Sequence, residues 1–238
     1  MSNMNRAESK AVSTAVIKIG GRTLEKESLR ATFAADICSL AVGWRLIMVH
    51  GGGPEVTALS KRLSYEPRFQ EGIRITSPEE MEVVDMVLAG SANKRLVRVL
   101  CAAGVRAVGI CGSDGPTLMT QLEESPPGTR TGRIKAVDTH LLSVLLATGF
   151  IPVVSPVSDD GAGAGVNVNA DMVACQIATA IEADVLLFIS DIDGVHKNGQ
   201  VLPELGPAEA YQEIEEGTIT GGMIPKIKSS LAAVDAGV

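Results

Sequence analysis

Aromatic residues are scarce in this chain: one Trp, two Tyr and four Phe make up 3% of 238 residues. Any core it builds must be aliphatic. Long apolar runs are missing too. No window approaches the roughly 18 uninterrupted apolar residues of a transmembrane helix, so no membrane partner is expected. The stretch from Met1 to Gly21 has no long apolar centre followed by a cleavage site, so no signal peptide is expected either. Positive charge is in deficit, with 21 Lys and Arg against 28 Asp and Glu and a net charge of −7. That excludes the broad basic footprint of a nucleic-acid binder, but not a local cation cluster around a small anion. Cys38, Cys101, Cys111 and Cys175 stand far apart with no CxxC pair. They read as reduced thiols of a cytoplasmic protein, packed as small hydrophobes, rather than a disulfide frame or a zinc site.

Familiar catalytic signatures are absent as well. There is no GxxxxGK(S/T) phosphate loop, no GxGxxG after the first apolar run, and no GxSxG nucleophile turn. His50, His140 and His196 are far apart in sequence, and His50 reads as a partly buried residue at a strand end.

What remains is 45% apolar and 21% charged, ordinary globular usage. The length suits one large domain or two lobes. Strand-length apolar runs alternate with helical stretches, the pattern of an α/β fold with a mostly parallel sheet. Strands are expected at Val16–Ile19, Leu46–Val49, Val105–Ile110, Ile151–Val154 and Val185–Ile189. Helices are expected at about 28–42, 54–63, 92–103, 139–148, 171–181, 207–216 and 225–236. Another should open at Ser77-Pro78-Glu79-Glu80, a capping box with Pro in the first turn. Residues 65–75 and 117–137 read as hairpins, and 161–165 as a Gly-rich loop. A lobe boundary falls where Pro156, Asp159-Asp160 and three glycines cluster, dividing the chain into 1–160 and 161–238.

In open α/β sheets ligands bind beyond the carboxyl ends of the strands, and here those loops are rich in glycine. Lys18-Ile19-Gly20-Gly21 can project a cation while its glycines let backbone approach a phosphate. Gly51-Gly52-Gly53-Pro54 opens a helix, whose free N–H groups favour an anion. Either loop alone is also compatible with ordinary turn chemistry. Asn167-Val168-Asn169-Ala170-Asp171 is a helix N-cap cluster, a site, or both. Lys226, in Gly221-Gly222-Met223-Ile224-Pro225-Lys226, is a cation at the positive end of a helix. It suits an anionic ligand or simple solvation.

The order of these segments, with Gly72-Ile73-Arg74-Ile75-Thr76, Asn93-Lys94 and Ser190-Asp191-Ile192-Asp193-Gly194-Val195, resembles the amino-acid kinase family. Within it the resemblance is to members that act on N-acetyl-L-glutamate, and it runs over nearly the whole chain. It implies a three-layer α/β/α sandwich around a mainly parallel, eight-stranded open sheet. It implies an N-terminal lobe (1–160) for the acylated amino acid and dimerisation, and a C-terminal nucleotide lobe (161–238). The implied reaction is phosphoryl transfer from ATP, with Mg2+ and no protein-held metal, to the side-chain carboxylate of N-acetyl-L-glutamate, in arginine biosynthesis. Lys18 and Lys226 match the lysines that stabilise the transferred group, and Asp171 the carboxylate that holds them. Gly52, Gly53, Arg74 and Asn167 match substrate contacts. Gly20, Gly21, Asp191, Ile192, Asp193, Gly194, Val195, His196, Thr218, Ile219 and Thr220 match nucleotide contacts. The alternatives are a kinase for another acylated amino acid, such as carrier-bound aminoadipate, and a non-catalytic ligand-binding member of the fold.

Two features depart from the pattern. Arg22 stands where a small or amide side chain is usual. It could touch phosphate, crowd the loop or point to solvent. The chain also stops at Val238, where the family continues by about one βα unit, so the nucleotide lobe is expected to be short. The few residues before the first strand suggest a homodimer insensitive to arginine.

Overall fold

The computed structural model describes residues 12–20, 27–197 and 199–238. Along the chain, β1 (Thr14–Ile19) leads to α1 (Glu27–Leu40), β2 (Arg45–His50), α2 (Gly53–Arg62), the hairpin β3 (Arg68–Gln70) and β4 (Ile73–Ile75), and α3 (Pro78–Val84). A π-helical segment, Asp85–Ala92, joins α3 to α4 (Asn93–Ala102). Then come β5 (Ala107–Cys111), β6 (Leu118–Leu122), β7 (Thr131–Val137), α5 (His140–Ala147), β8 (Ile151–Ser155), β9 (Val157–Asp159), β10 (Gly165–Val168) and α6 (Ala170–Ala180). The chain ends with β11 (Val185–Ile189), the hairpin β12 (His196–Lys197) and β13 (Gln200–Val201), α7 (Pro207–Glu215) and α8 (Met223–Asp235).

Five strands form a parallel sheet in the order β11-β1-β2-β8-β5. Their side chains alternate between faces, and each face is covered by helices. Ala15, Ile17 and Ile19 of β1 pack with Phe33, Ala34 and Ile37 of α1 and Leu96 and Leu100 of α4. Val16 faces the other way, with Ile47 and Val49, onto Leu142 and Leu146 of α5 and Val173 and Ile177 of α6. Lys18 shares the parity of Val16, so the sheet's pleat aims it at the α6 side. The core is aliphatic throughout, as the shortage of aromatics requires. At roughly 1.5–3 kcal/mol per fully buried side chain, these two layers supply the main driving force for folding.

Two details differ from the sequence reading. The parallel sheet has five strands among the described residues, not eight. β6, β7, β9 and β10 instead close into a small barrel, with β6–β7 and β9–β10 antiparallel. The Gly-rich loop expected at 161–165 is found as an exposed tight turn joining β9 to β10, with Gly165 opening β10. Asp160 Oδ1 accepts from the N–H groups of Ala162 and Ala164, and Arg130 donates to Asp160 and to the carbonyls of Ala164 and Gly165. These backbone donors hold the Asp160 carboxyl down to about 2. Finally, the two helices expected around 78–103 run on as one, because no breaker stronger than Gly90 interrupts them. The π turn between them changes which side chains face the sheet.

Candidate active site

β1 and β11 are neighbours, with α1, which follows β1, on one face and α8, packed on α6, on the other. That divergence opens a crevice at the sheet's crest. Lys18 lies there, one residue from the end of β1. Its Nζ is 2.7 Å from Asp171 Oδ1, and both residues are only 9% exposed. Asp171 is in the first turn of α6, capped by Asn169, whose Oδ1 accepts from the N–H groups of Asp171 and Met172. The N-cap reading of this segment therefore holds for Asn169. Asn167 precedes it on β10 and is buried, with Nδ2 donating to Thr76 Oγ1 at 2.9 Å.

Arg74, the centre of β4, is buried opposite. Its Nη1 donates to Glu80 Oε1 at 2.9 Å, and its Nη2 to Gly53 O at 3.1 Å and to Thr57 Oγ1. Its guanidinium lies 4.8 Å from the Phe69 ring centroid, and its own carbonyl accepts from Thr131 Oγ1. Burial lowers the Arg74 pKa, and the Glu80 charge acts against that. Of five guanidinium N–H groups, these bonds engage three. Ser77 is the N-cap, its Oγ accepting from Glu80 N at 3.2 Å. The Glu80 side chain does not complete the expected capping box. It turns inward to Arg74 and to Ser60, whose Oγ donates at 2.7 Å, because an unpaired buried guanidinium is costlier than an uncapped N–H.

Gly51, Gly52 and Gly53 bring the N-terminus of α2 to the same place. Gly52 is the N-cap, and Pro54 falls in the first turn, where its missing N–H costs no bond. A Cβ on Gly52 would stand 2.6 Å from Leu88 Cδ2, so only glycine lets the loop lie this close to the π-helical segment. Lys18, Gly52, Gly53, Arg74, Asn167 and Asp171 together line one open cleft of about 190 Å³. These are four side chains expected from separate motifs, Lys18, Arg74, Asn167 and Asp171, plus the two glycines of the loop between them.

Lys226 does not line that cleft. It projects from the first turn of α8, and its Nζ donates to Ser190 Oγ at 3.2 Å. Ser190 follows β11, and the N–H of Gly20 donates to Ile189 O at 2.9 Å, so Lys226 stands over the ends of β1 and β11. The β3–β4 hairpin reaches it from the other side. A Cβ on Gly72 would be 3.6 Å from Gly222 Cα and 4.0 Å from Pro225 Cγ.

The expected nucleotide residues divide. Ile192, Asp193 and Gly194 form a loop after β11, with Asp191 at its start beside Ser190, and His196 opens β12 at its end. His196 Nε2 lies 2.7 Å from Asp193 Oδ1, a bond that lowers the Asp193 pKa. Thr220 is exposed at the entry to α8. Val195 and Ile219 are buried, and the Ile219 N–H donates to Glu213 O, so these two offer backbone rather than side chain. Thr218 bonds the buried Glu213 carboxylate, which also pairs with Lys197. Gly21 and Arg22 lie outside the described residues. Sequence reasoning missed Glu80, Thr57 and Ser190. Glu80 alone carried a signal, since a Glu in an otherwise apolar helix face can be an ion-pair partner as well as a cap.

Two buried cation–carboxylate pairs, a glycine-rich helix N-terminus and a second lysine nearby form, at the crest of a parallel α/β sheet, a donor set whose chemistry suits small anions. The chain belongs to the amino acid kinase family, whose profile matches residues 13–238. It is 42% identical over 222 residues to the acetylglutamate kinase of Bacillus subtilis, covering 93% of this chain and 85% of that one. It is 40% identical over 227 residues to that of Kosmotoga olearia, covering 94% and 80%. A solved protein of Streptococcus mutans superposes with a TM-score of 0.89 at 29% identity, covering 94% of this chain and 91% of its own.

Proposed function

We propose that this chain transfers the γ-phosphoryl group of ATP to the side-chain carboxylate of N-acetyl-L-glutamate, giving N-acetyl-L-glutamyl 5-phosphate and ADP, the second step of arginine biosynthesis. Identity of about 40% to acetylglutamate kinases over more than nine-tenths of the chain supports it. The observation that carries it is the single cleft in which the Lys18–Asp171 pair, the Gly52–Gly53 loop and Arg74 meet.

A glutamyl carboxylate has an ordinary pKa of about 4.3 and is already the nucleophile at neutral pH. No general base is needed. A carboxylate oxygen attacks the γ-phosphorus as the bond to the β–γ bridging oxygen breaks, and ADP leaves with that electron pair. The protein's task is to bring two anions together and stabilise charge on the group in flight. Lys18 approaches from the amino-acid side and Lys226 from the nucleotide side. Asp171 fixes the Lys18 ammonium and takes no proton. The N–H groups of the Gly52–Gly53 loop supply backbone donors to the phosphoryl oxygens, while Gly20, whose own N–H is held by Ile189 O, leaves room for the phosphates to approach.

Arg74 clamps the substrate's α-carboxylate with the N–H groups its protein partners leave over, and Asn167 gives a further contact. The loop 191–196 and residues 218–220 hold the nucleotide, Val195 and Ile219 through their backbone. Magnesium enters with ATP and shields the phosphate charge, held by no dedicated protein cage. In this reading residues 1–160 form the acyl-amino-acid lobe and dimerise, residues 161–238 form the nucleotide lobe, and the enzyme is a cytoplasmic homodimer. No helix among the described residues is long and apolar enough to cross a membrane.

A coupled assay of ADP release tests the reading. Release from MgATP should depend on added N-acetyl-L-glutamate. A folded chain that binds both ligands and releases no ADP would refute it.

A further inference from the structure

His50 and Asn93 are buried, polar and absent from the reaction just described. His50 ends β2, immediately before the glycine loop, and is 4% exposed, while Asn93 opens α4 and is fully buried. The Asn93 Nδ2 donates to Val153 O at 2.8 Å and to His50 Nε2 at 3.1 Å, and its Oδ1 accepts from Lys94 Nζ at 3.1 Å. With a carbonyl on one side and an ammonium on the other, the amide can face only one way. Its nitrogen therefore meets His50 Nε2 as a donor, Nε2 must be the bare nitrogen, and the imidazole proton sits on Nδ1. Nδ1 is 2.8 Å from Gly51 O and donates to it. Burial lowers the His50 pKa to about 4, so the ring stays neutral in this tautomer.

The consequence follows from peptide geometry. The Gly51–Gly52 peptide is trans, since the cis bond among the described residues is at Ser125-Pro126. In a trans peptide the C=O of one residue and the N–H of the next point in opposite directions. His50 pulls the Gly51 carbonyl toward the sheet, and so turns the Gly52 N–H away from it, toward the cleft that Gly51, Gly52 and Gly53 line.

Two more contacts from the same helical run grip the loop. Gly52 lies against Leu88 and Ala92 of the π-helical segment, and Glu55 of α2 pairs with Arg95 of α4. The space for Asn93 is kept by Gly109, where a Cβ would come within 1.9 Å of Asn93 Oδ1. The π turn, the Asn93-Lys94 pair and the glycine on β5 thus share one purpose.

We infer that His50 and Asn93 are positioning residues for phosphoryl transfer: Asn93 sets the imidazole tautomer, and His50 orients the Gly51–Gly52 peptide so that its N–H faces the transferred group. The inference rests on the kinase reading. It does not place His50 in contact with substrate, and gives it no proton to transfer.

The test compares His50→Leu, His50→Asn and the unaltered chain. The Asn side-chain nitrogen occupies nearly the place of Nδ1 and keeps the bond to Gly51 O. Loss of one oxyanion donor costs about 100- to 1000-fold in turnover, so losing its orientation should lower kcat of His50→Leu by about 10- to 100-fold. The KM for N-acetyl-L-glutamate should stay within about threefold, and His50→Asn should recover most of the lost kcat, on the same grounds. Equal impairment of Leu and Asn, or a loss confined to KM, would overturn the inference.

A second readout needs no activity. Imidazole 15N shifts of the unliganded chain should place the proton on Nδ1, and the Gly52 amide shift should move in His50→Leu but little in His50→Asn. A proton on Nε2, or a Gly52 amide indifferent to both substitutions, would overturn it. An unaltered chain that forms no acyl phosphate would count against the kinase reading instead, with these shifts still deciding the orientation of the peptide.

Discussion

Replacing Arg74 by Ala should do two separable things. Its side chain and that of Glu80 are 6% and 4% exposed and 2.9 Å apart. Arg74→Ala leaves Glu80 buried with Ser60 as its remaining partner and its charge uncompensated. Breaking a buried pair this way costs about 3–5 kcal/mol. In a chain of this size each kcal/mol moves the melting temperature by about 2–4 °C, so the variant should melt about 6–20 °C lower. The substrate clamp should fail as well. A charge-assisted hydrogen bond is worth about 1.5–3 kcal/mol, or about 10- to 150-fold in KM for N-acetyl-L-glutamate.

Adding Glu80→Gln removes the stranded charge while keeping a partner for Ser60. The double variant should regain at least half of the lost stability and none of the substrate affinity. Thermal melts and steady-state kinetics on the three proteins read this out. If KM recovers in step with the melting temperature, Arg74 acts only through the fold, and its role as a substrate clamp is wrong.

Other outcomes follow from the same geometry. Lys18→Met and Lys226→Met should each lower kcat by about 100- to 1000-fold with smaller changes in either KM, as expected for groups that act on charge in the transition state; single-turnover kinetics would expose a purely binding role. Gly52→Ala drives a Cβ toward Leu88 and should cost about 1–3 kcal/mol, whereas Gly53→Ala, with nothing within 4 Å of the new Cβ, should melt within about 0.5 kcal/mol of the parent. Equal melts for the two would contradict the close packing on the π turn. The depressed pKa of His50, about 4 against 6.5, means that the unfolded chain binds the extra proton first as pH falls. Its contribution is full above pH 6.5 and lost as pH drops toward 4, about 3 kcal/mol over the window. The stability difference between the parent and His50→Leu should therefore shrink as pH falls from 7 to 4, and a constant difference would contradict the burial argument.

The five parallel strands were legible because each is a short, mainly aliphatic run; β1, β2 and β8 are buried on both faces, whereas β11, expected to be a buried strand, is the sheet's edge and leaves Leu187 42% exposed. Lys18, Arg74, Asn167 and Asp171 could be chosen from their motifs, and the structure brings them to one cleft. Their partners were harder to see. Glu80 satisfies a capping pattern on paper, and only the approach of β4 gives it a guanidinium to face. The barrel escaped notice because β9 and β10 are three and four residues long, and nothing local to so short a segment signals pairing. The π turn has no composition of its own. Its mark in the sequence is indirect, a His before three glycines and an Asn–Lys pair some forty residues later. Those residues meet only when α4 is rotated onto the end of the sheet.

The central claim is that a carboxylate of N-acetyl-L-glutamate takes the phosphoryl group. Trapping the product with hydroxylamine tests it most directly. The purified chain, incubated with MgATP and hydroxylamine, should form hydroxamate with N-acetyl-L-glutamate and not with glutamate or N-acetyl-aminoadipate. Hydroxamate from N-acetyl-aminoadipate in preference, or none from any of the three by a folded chain that binds ATP, would contradict it.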